Sequence, residues 1–411
     1  MGSERESCRK EGVKNRKLQV AYKFRLYPSK KIESKMLGSL ELCRQTYNML
    51  LGELNSQKVI DKAQIQGIIP DIKICEPKFK NIHSKTMQME CYRLFSNLRG
   101  LAQSKGKRKV GRLRFKSKNR FKTFTYNQTG FKLIATGKRH QTLWLSKIGE
   151  IPIRCHRNIT GKIKQVTIKQ TSSGKWFASV IEEQKITVPK LPIKKIVGID
   201  LGLNDIVYDS DGNKTGNPRH LREKAQKLAR LQRRMSNKKK GSSNRNKSRI
   251  ILSRQYEKLV NSRDDFLHKL SRHYVDNYDA IGFEDFQITN MARNHKLSKS
   301  ILDASWGRLR QFVAYKVERT GKHYILVNYK GTTQICSQCG EEVAKGLSER
   351  MHKCLYCGFV APRDYNSALE IKNRMFKKIG QGLSESTPVE MEALPLLGQL
   401  SSAKQEALCE S

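Results

Sequence analysis

The chain has 411 residues, enough for two or three domains with at least one substantial core, which excludes a single small module. It carries 81 Lys and Arg against 37 Asp and Glu, a formal charge of +44. A well-solubilised small domain carries a net charge of about 2 to 8, so this excess excludes an ordinary solvated surface and points to a polyanion whose phosphates the basic side chains neutralise. The longest apolar runs fall well short of the roughly 20 residues a membrane span requires, and no apolar signal segment opens the chain. A soluble, cytoplasmic protein is expected, nucleoid-associated if bacterial or archaeal, with no membrane partner.

In chain order, residues 1–17 are polar and basic and read as a flexible tail. Val20, Tyr22, Phe24 and Leu26 alternate with polar residues as in a half-buried strand that Pro28 ends. Ile32, Met36, Leu40, Cys43, Tyr47, Leu50 and Leu54 then recur at helical spacing, and Met87, Cys91, Leu94, Leu98 and Leu101 repeat the pattern, so a small helical module is expected. The following basic stretch is interleaved with Phe115, Phe121, Phe124 and Tyr126. Its lysines and arginines suit phosphates, whereas its aromatics suit either base stacking or the inward face of a strand.

From 121 to 183, short strand-like runs are separated by Gly, Asn, Ser and Thr turns, which predicts a small antiparallel barrel that the first strand joins and the helical module interrupts. After VPKLPIKK the text changes to buried strands alternating with helices, IVGID, IVYDSDGN, YDAIGFEDF and HYILVN among them, the pattern of an α/β sheet. Two long basic helices, about 218–235 and 246–277, are joined by SNKKKGSSNRNK, whose Lys238, Lys239, Lys240, Arg245 and Lys247 are candidates for a mobile phosphate contact or for a plain solvated loop. Beyond about 377 the composition turns acidic and reads as disordered.

Ten cysteines are present, and six of them (Cys8, Cys43, Cys75, Cys91, Cys155 and Cys409) are scattered without pattern, which suits a reducing compartment rather than a disulfide framework. The other four form two Cys-x-x-Cys pairs, Cys336 with Cys339 and Cys354 with Cys357, separated by fourteen residues. Each pair can bend two thiolates onto one ion, with Gly340 and Gly358 allowing the tight turns. Four soft ligands fill a tetrahedral Zn²⁺ and leave no open position, so a structural zinc is expected, with redox pairs as the alternative.

Three acids stand where a structural reason is hard to find. Asp200 ends an apolar strand, Glu284 ends another, and Asp364 lies seven residues after the last cysteine at the start of a short helix. A carboxylate at the mouth of a buried strand must be solvated, paired or bound to a cation, and three converging on two Mg²⁺ ions would suit phosphodiester hydrolysis. Asp364 alone can also be read as a helix N-cap. GIDLG resembles the first phosphate loop of the actin and Hsp70 ATPases as well, but Leu203, Asn204 and Asp205 follow it in place of hydroxyl residues.

The segments GIDLGLND, GFEDFQITNM, ASWGRLRQFVAYKVERTGKHYILVNYKGTTQICSQCG and HKCLYCGFVAPRDYNSALEIKNR together resemble TnpB, the transposon-encoded RNA-guided DNA endonuclease family (OrfB) related to type V CRISPR effectors. The resemblance spans roughly 18–376 and is strongest from 196 onward. It implies a multidomain α/β plus β-barrel chain: a RuvC nuclease of RNase H-like fold at 191–329 and 361–376, an inserted zinc ribbon at 330–360, a wedge-type β-barrel at 18–30 and 119–190, and a helical recognition insertion at 31–118. It further implies that Asp200, Glu284 and Asp364 are the catalytic carboxylates holding two Mg²⁺, that the four cysteines hold one Zn²⁺, and that Arg363 contacts substrate phosphate. The implied partners are a guide RNA from the transposon end and double-stranded target DNA beside a short adjacent motif. Two features depart from the family pattern: Ser367 replaces an Ala, and Glu370 stands where Asn is common. The rivals are a transposase or recombinase on the same fold and a catalytically silent regulator of transposition.

Overall fold

The computed structural model describes residues 14–57, 60–105, 111–118, 120–135, 141–188, 192–291, 293–346 and 349–380. Of the acidic tail expected to be disordered from 377, residues 377–380 instead continue a helix, and the rest, like the basic tail before residue 14, lies outside the described residues. The chain divides into two compact units, one of residues 15–186 and one that begins at Thr187.

In the first unit, β1 (Lys14–Leu26) leads into α1 (Lys30–Ser56), where Ser29 caps the helix by accepting from the Ile32 amide at 3.4 Å. Strand order therefore begins within the stretch expected to be tail. Then come α2 (Lys62–Cys75), a 3₁₀ turn (Pro77–Asn81) and α3 (Ser84–Lys105), followed by β2 (Thr123–Asn127), β3 (Phe131–Ala135), β4 (Gln141–Leu145), β5 (Gly149–Arg154), β6 (Lys162–Gln170) and β7 (Trp176–Val188). These seven strands form one sheet in the order β2-β6-β7-β1-β5-β4-β3, a nearly closed barrel.

One continuous core joins the barrel to its helices: Phe24 and Leu26 from β1, Met36, Tyr47 and Leu50 from α1, and Met87 and Leu94 from α3. The aromatics of the basic stretch divide accordingly. Phe121, Phe124 and Tyr126 are buried in this core, whereas Phe115 is 61% exposed, so only Phe115 is left with a face for a base. The chain around it is held down by Asn48, whose amide side chain accepts from the Lys116 N–H at 2.8 Å and donates to its carbonyl at 3.0 Å.

The second unit is built on β8 (Ile196–Asp200), β9 (Asp205–Asp209), β10 (Lys214–Gly216), β11 (Ala280–Glu284) and β12 (His323–Val327), in the order β10-β9-β8-β11-β12. Strands β8, β11 and β12 run parallel, while β9 is antiparallel to β8. Its helices are α4 (His220–Ser236), α5 (Ser243–Asn277), α6 (Ile288–Met291), α7 (His295–Ala304), α8 (Trp306–Thr320) and α9 (Arg363–Gly380).

The period of two in each strand assigns the faces. Val197, Ile199, Ile281 and Phe283 pack against Leu267, Trp306 and Val313 of α5 and α8, while Ala280 packs against Ile371 and Met375 of α9 on the other side. A short hairpin, β13 (Met351–Lys353) and β14 (Val360–Pro362), leads directly into α9.

Two sequence expectations change here. The linker SNKKKGSSNRNK is helical from Ser243, so Arg245 and Lys247 belong to the first turn of α5. Asp364 is not an N-cap of a short helix but sits inside the first turn of an 18-residue one.

Candidate active site and zinc ribbon

In the parallel ladder, Gly198 pairs with Gly282 and Ile199 with Phe283, so the next residues, Asp200 and Glu284, emerge together at the carboxyl ends of neighbouring strands. Ligand sites of open α/β sheets lie at that end. Both acids are two residues beyond a glycine that faces α9, so both point to the α9 side. The glycines explain how the helix gets close enough. A Cβ on Gly198 would lie 2.3 Å from the Ala368 carbonyl and 2.6 Å from the Lys372 amide, and one on Gly282 would lie 2.0 Å from the Met375 sulfur. Only strands without side chains at these points admit α9, and α9 carries Asp364 at its start.

The three acids repel one another. Enclosure by protein, reinforced by the nearby charges of Glu284 and Asp364, raises the Asp200 carboxyl well above the usual carboxylate range, with Arg363 opposing. Burial likewise raises Glu284, against a hydrogen bond from Thr332 and the charges of Arg374 and Arg310. Thr332, itself buried, donates to Glu284 Oε1. Arg363 lies 3.4 Å from Asp364 and donates to the Glu349 carbonyl at 3.1 Å, so its guanidinium is engaged with the very acid it precedes.

The cysteines present a different arrangement. Sγ of Cys336 and Cys357 are 3.7 Å apart, those of Cys339 and Cys354 are 3.6 Å apart, and all four sulfurs lie within 4.8 Å of one another. A tetrahedron with Zn–S near 2.3 Å has edges of about 3.8 Å, so the quartet matches a zinc ribbon. The two knuckles are built alike: the Gly340 and Gly358 amides, at φ of 83° and 73°, donate to the carbonyls of Cys336 and Cys354 at 2.9 and 3.0 Å. Among the described residues no acidic trio closes to within 4.8 Å as the thiols do.

The ribbon is tied to α9 by a residue that sequence reasoning left without a role. Asn366, fully buried, accepts from the Ser337 amide at 3.0 Å and donates to the Ile335 carbonyl at 2.8 Å, and Asn373 adds a bond to the Ser337 carbonyl at 2.7 Å. Its signal was the Asp-x-Asn spacing, which places both side chains in one helical turn. Glu370, the departure from the family pattern, pairs with Arg374 at 2.8 Å, and Arg374 also holds the Asn328 and Lys330 carbonyls at 2.6 and 2.9 Å.

The lysine loop is carried away from this centre. The core-facing residues of α5 begin at Leu267, so a helix rising about 1.5 Å per residue sets Ser243 roughly 35 Å further along its axis. Lys239, Lys240 and Lys247 are exposed there and Lys238 is half-buried. Arg245 instead closes the helical hairpin, donating to the carbonyls of Met235, Ser236 and Lys238 at 3.1, 3.3 and 2.9 Å.

Three family models match the chain: OrfB of IS605, described as "Probable transposase", over 178–295; a Cas12f1-like TNB domain over 306–371; and a helix-turn-helix domain over 18–57. These matches bear out the resemblance to the OrfB–TnpB family. Among family relatives, an Escherichia coli protein provisionally named an RNA-guided DNA endonuclease, InsQ, is 29% identical over 85% of this chain and 91% of its own length. A Streptomyces pristinaespiralis protein of like name is 29% identical over 85% and 88%. The Cas12f1 endodeoxyribonuclease of Sulfoacidibacillus thermotolerans is 26% identical over 50% and 51%.

A solved Cas12f1 complex with guide RNA and target DNA shares the fold with TM-score 0.59 at 12% identity, covering 87% of this chain and 99% of that one. The segment matched as helix-turn-helix is in fact a strand and a single helix of 27 residues. No helix among the described residues is long and apolar enough to cross a membrane.

Proposed function

We propose that this chain is a transposon-encoded RNA-guided DNA endonuclease. The observation that carries the proposal is the alignment of Asp200 and Glu284 at neighbouring strand ends, on the face where α9 brings Asp364. In this reading the second unit is a RuvC nuclease of RNase H-like fold (191–329 and 361–376), interrupted by the zinc ribbon (330–360). The barrel is the wedge domain (18–30 and 119–190), and its helical insertion (31–118) serves recognition.

The three carboxylates form a hard, anionic donor set suited to two Mg²⁺, and burial, joined at Asp200 by the neighbouring charges, disfavours the ionised forms of Asp200 and Glu284. Bound there, the ions would supply an activated water and stabilisation of the leaving oxygen. The chain's own residues hold that set in place: Thr332 fixes one oxygen of Glu284, Arg363 restrains Asp364, and Asn366 locks the turn of α9 that bears it. The four cysteine thiolates would hold a structural Zn²⁺, and with it would brace the start of α9.

Guide RNA drawn from the transposon end would read sequence by base pairing, and double-stranded target DNA would be opened beside a short adjacent motif. The charge of +44 then serves to grip backbone phosphates, with Lys238, Lys239, Lys240 and Lys247 among the contacts. Arg245 and Arg363 turn to phosphate only by exchanging the contacts described above.

The test is guided cutting by protein purified with its RNA: Asp200→Ala should abolish cutting while RNA binding persists. Copurification of random host RNA alone would sink the proposal. The family description as a transposase favours a second reading, strand joining on the same carboxylates; joining by RNA-free protein would establish that instead.

A further inference from the structure

Asp200 is paired across β8 and β9 with Tyr208, and residues directly opposite in a ladder point to the same face. Glu284, Asp200 and Tyr208 therefore form a row across three strands, all facing α9. There Tyr365 follows Asp364, and its ring centroid lies 5.8 Å from that of Tyr208 with the planes tilted by 43°. Two aromatic rings thus flank the carboxylates on the side away from Glu284.

Neither ring is explained by packing. Both are half-buried, yet neither joins a hydrophobic cluster of the described residues. Their hydroxyls also differ from those of most other buried or half-buried tyrosines in the described fold. Tyr47, Tyr126, Tyr274, Tyr278 and Tyr324 each hydrogen-bond within the chain, to Asn97, the Ser146 carbonyl, Asp209, Asp211 and Arg310. Tyr208 and Tyr365 make no such bond among the described residues. A tyrosine that neither fills a core nor ties its hydroxyl has its ring face to offer.

We propose that Tyr208 and Tyr365 form a stacking platform for the unpaired base next to the phosphate being cut. The inference rests on the nuclease reading and deepens it by naming how the strand is held. With their centroids so close the two rings leave no slot for a base between them, so the base packs on the outer face of the pair. Stacking suits an enzyme whose sequence choice is made by a guide, because every base has a π face. Both tyrosines are positioning residues: they set the phosphate over the carboxylates and take no part in proton transfer.

The experiment uses the guide-loaded protein and DNA substrates carrying 2-aminopurine at successive positions along each target strand, with calcium replacing magnesium so that binding proceeds without hydrolysis. The fluorescence of the base flanking the cut should be quenched, and Tyr208→Leu and Tyr365→Leu, which keep apolar volume but lose the π face, should release it. In magnesium the Leu variants should raise KM for DNA about tenfold with kcat little changed, the scale of one lost base stack. Tyr208→Phe and Tyr365→Phe should behave as wild type in both measurements.

Leu variants that melt as wild type, quench fully and keep KM would overturn the proposal. So would Phe variants as impaired as Leu, which would assign the role to the hydroxyls, or quenching confined to 2-aminopurine placed in the guide RNA. Quenching by wild-type protein that never cuts DNA in magnesium would uphold the platform and refute the nuclease reading.

Discussion

The cysteine quartet and the carboxylate row lie only seven residues apart in sequence, at Cys357 and Asp364, yet they are built on opposite principles. The thiols are gathered by two local turns of identical construction, and their sulfurs approach to 3.6 and 3.7 Å. The carboxylates come from two strand ends and a helix start, are half-buried, and are supported from behind by Thr332 and Arg363. A closed, soft site can only brace. A hard, half-buried one is suited to exchange water and substrate for ligands.

The sharpest way to break this comparison is to remove one member of each. Asp364→Ala should lower guided cutting by about 10³-fold or more, the scale of lost charge stabilisation at a reacting phosphate, while the melting temperature stays within a few degrees of wild type. Cys354→Ser should do the reverse in order of cause, lowering the melting temperature first, with activity following the folded fraction; zinc removal by a chelator should reproduce it. A Cys354→Ser protein of native melting temperature but without cutting would undo the distinction.

A smaller effect tests how the helix between the two sites is seated. Gly198→Ala would press a methyl group onto the Ala368 carbonyl and the Lys372 amide, at a cost of about 1–3 kcal/mol for overpacking. Cutting should fall further than that loss of stability explains, because α9 carries Asp364. Equal losses in stability and activity would argue against the helix acting as a positioning element.

The smallest effect concerns charge. The Asp200 carboxyl is raised in the folded protein, so folding takes up a proton, and the stability this contributes is complete below the unfolded value near 3.8 and is lost as pH climbs toward the folded one. Asp200→Asn should therefore raise the melting temperature of magnesium-free, zinc-replete protein at pH 8. The gain should vanish near pH 4, and magnesium should narrow it by stabilising the wild type. A melting difference independent of pH would mean that burying the charged Asp200 carboxylate beside other acids is not what strains this site.

Much of this was legible in the chain because its signals are local. Two Cys-x-x-Cys pairs followed by glycines specify knuckles by themselves, and the apolar runs IVGID and AIGFE mark buried strands with an acid at the end. The barrel strands were readable for the same reason. The short α2, the 3₁₀ turn and the start of α5 at Ser243 were not: Ile65, Ile69 and Ile72 of α2 recur at helical spacing but Gly67 and Pro70 interrupt the signal, while polar and basic residues carry no period in the other two.

What the sequence by itself determined was which residues are too polar for their places: Asp200, Glu284 and Asp364 beside apolar runs, and four cysteines at ligand spacing. What only the tertiary structure decided was their company. The pairing of Gly198 with Gly282 sets the acids side by side, the absence of two side chains lets α9 reach them, and strand register brings Tyr208 into the same row. The pairing of β8 with β11, the close approach of α9 and the donors Thr332 and Asn366 join residues tens to more than a hundred positions apart. No local periodicity records such contacts, because they follow from how the sheet and helix pack and not from the preference of any one segment.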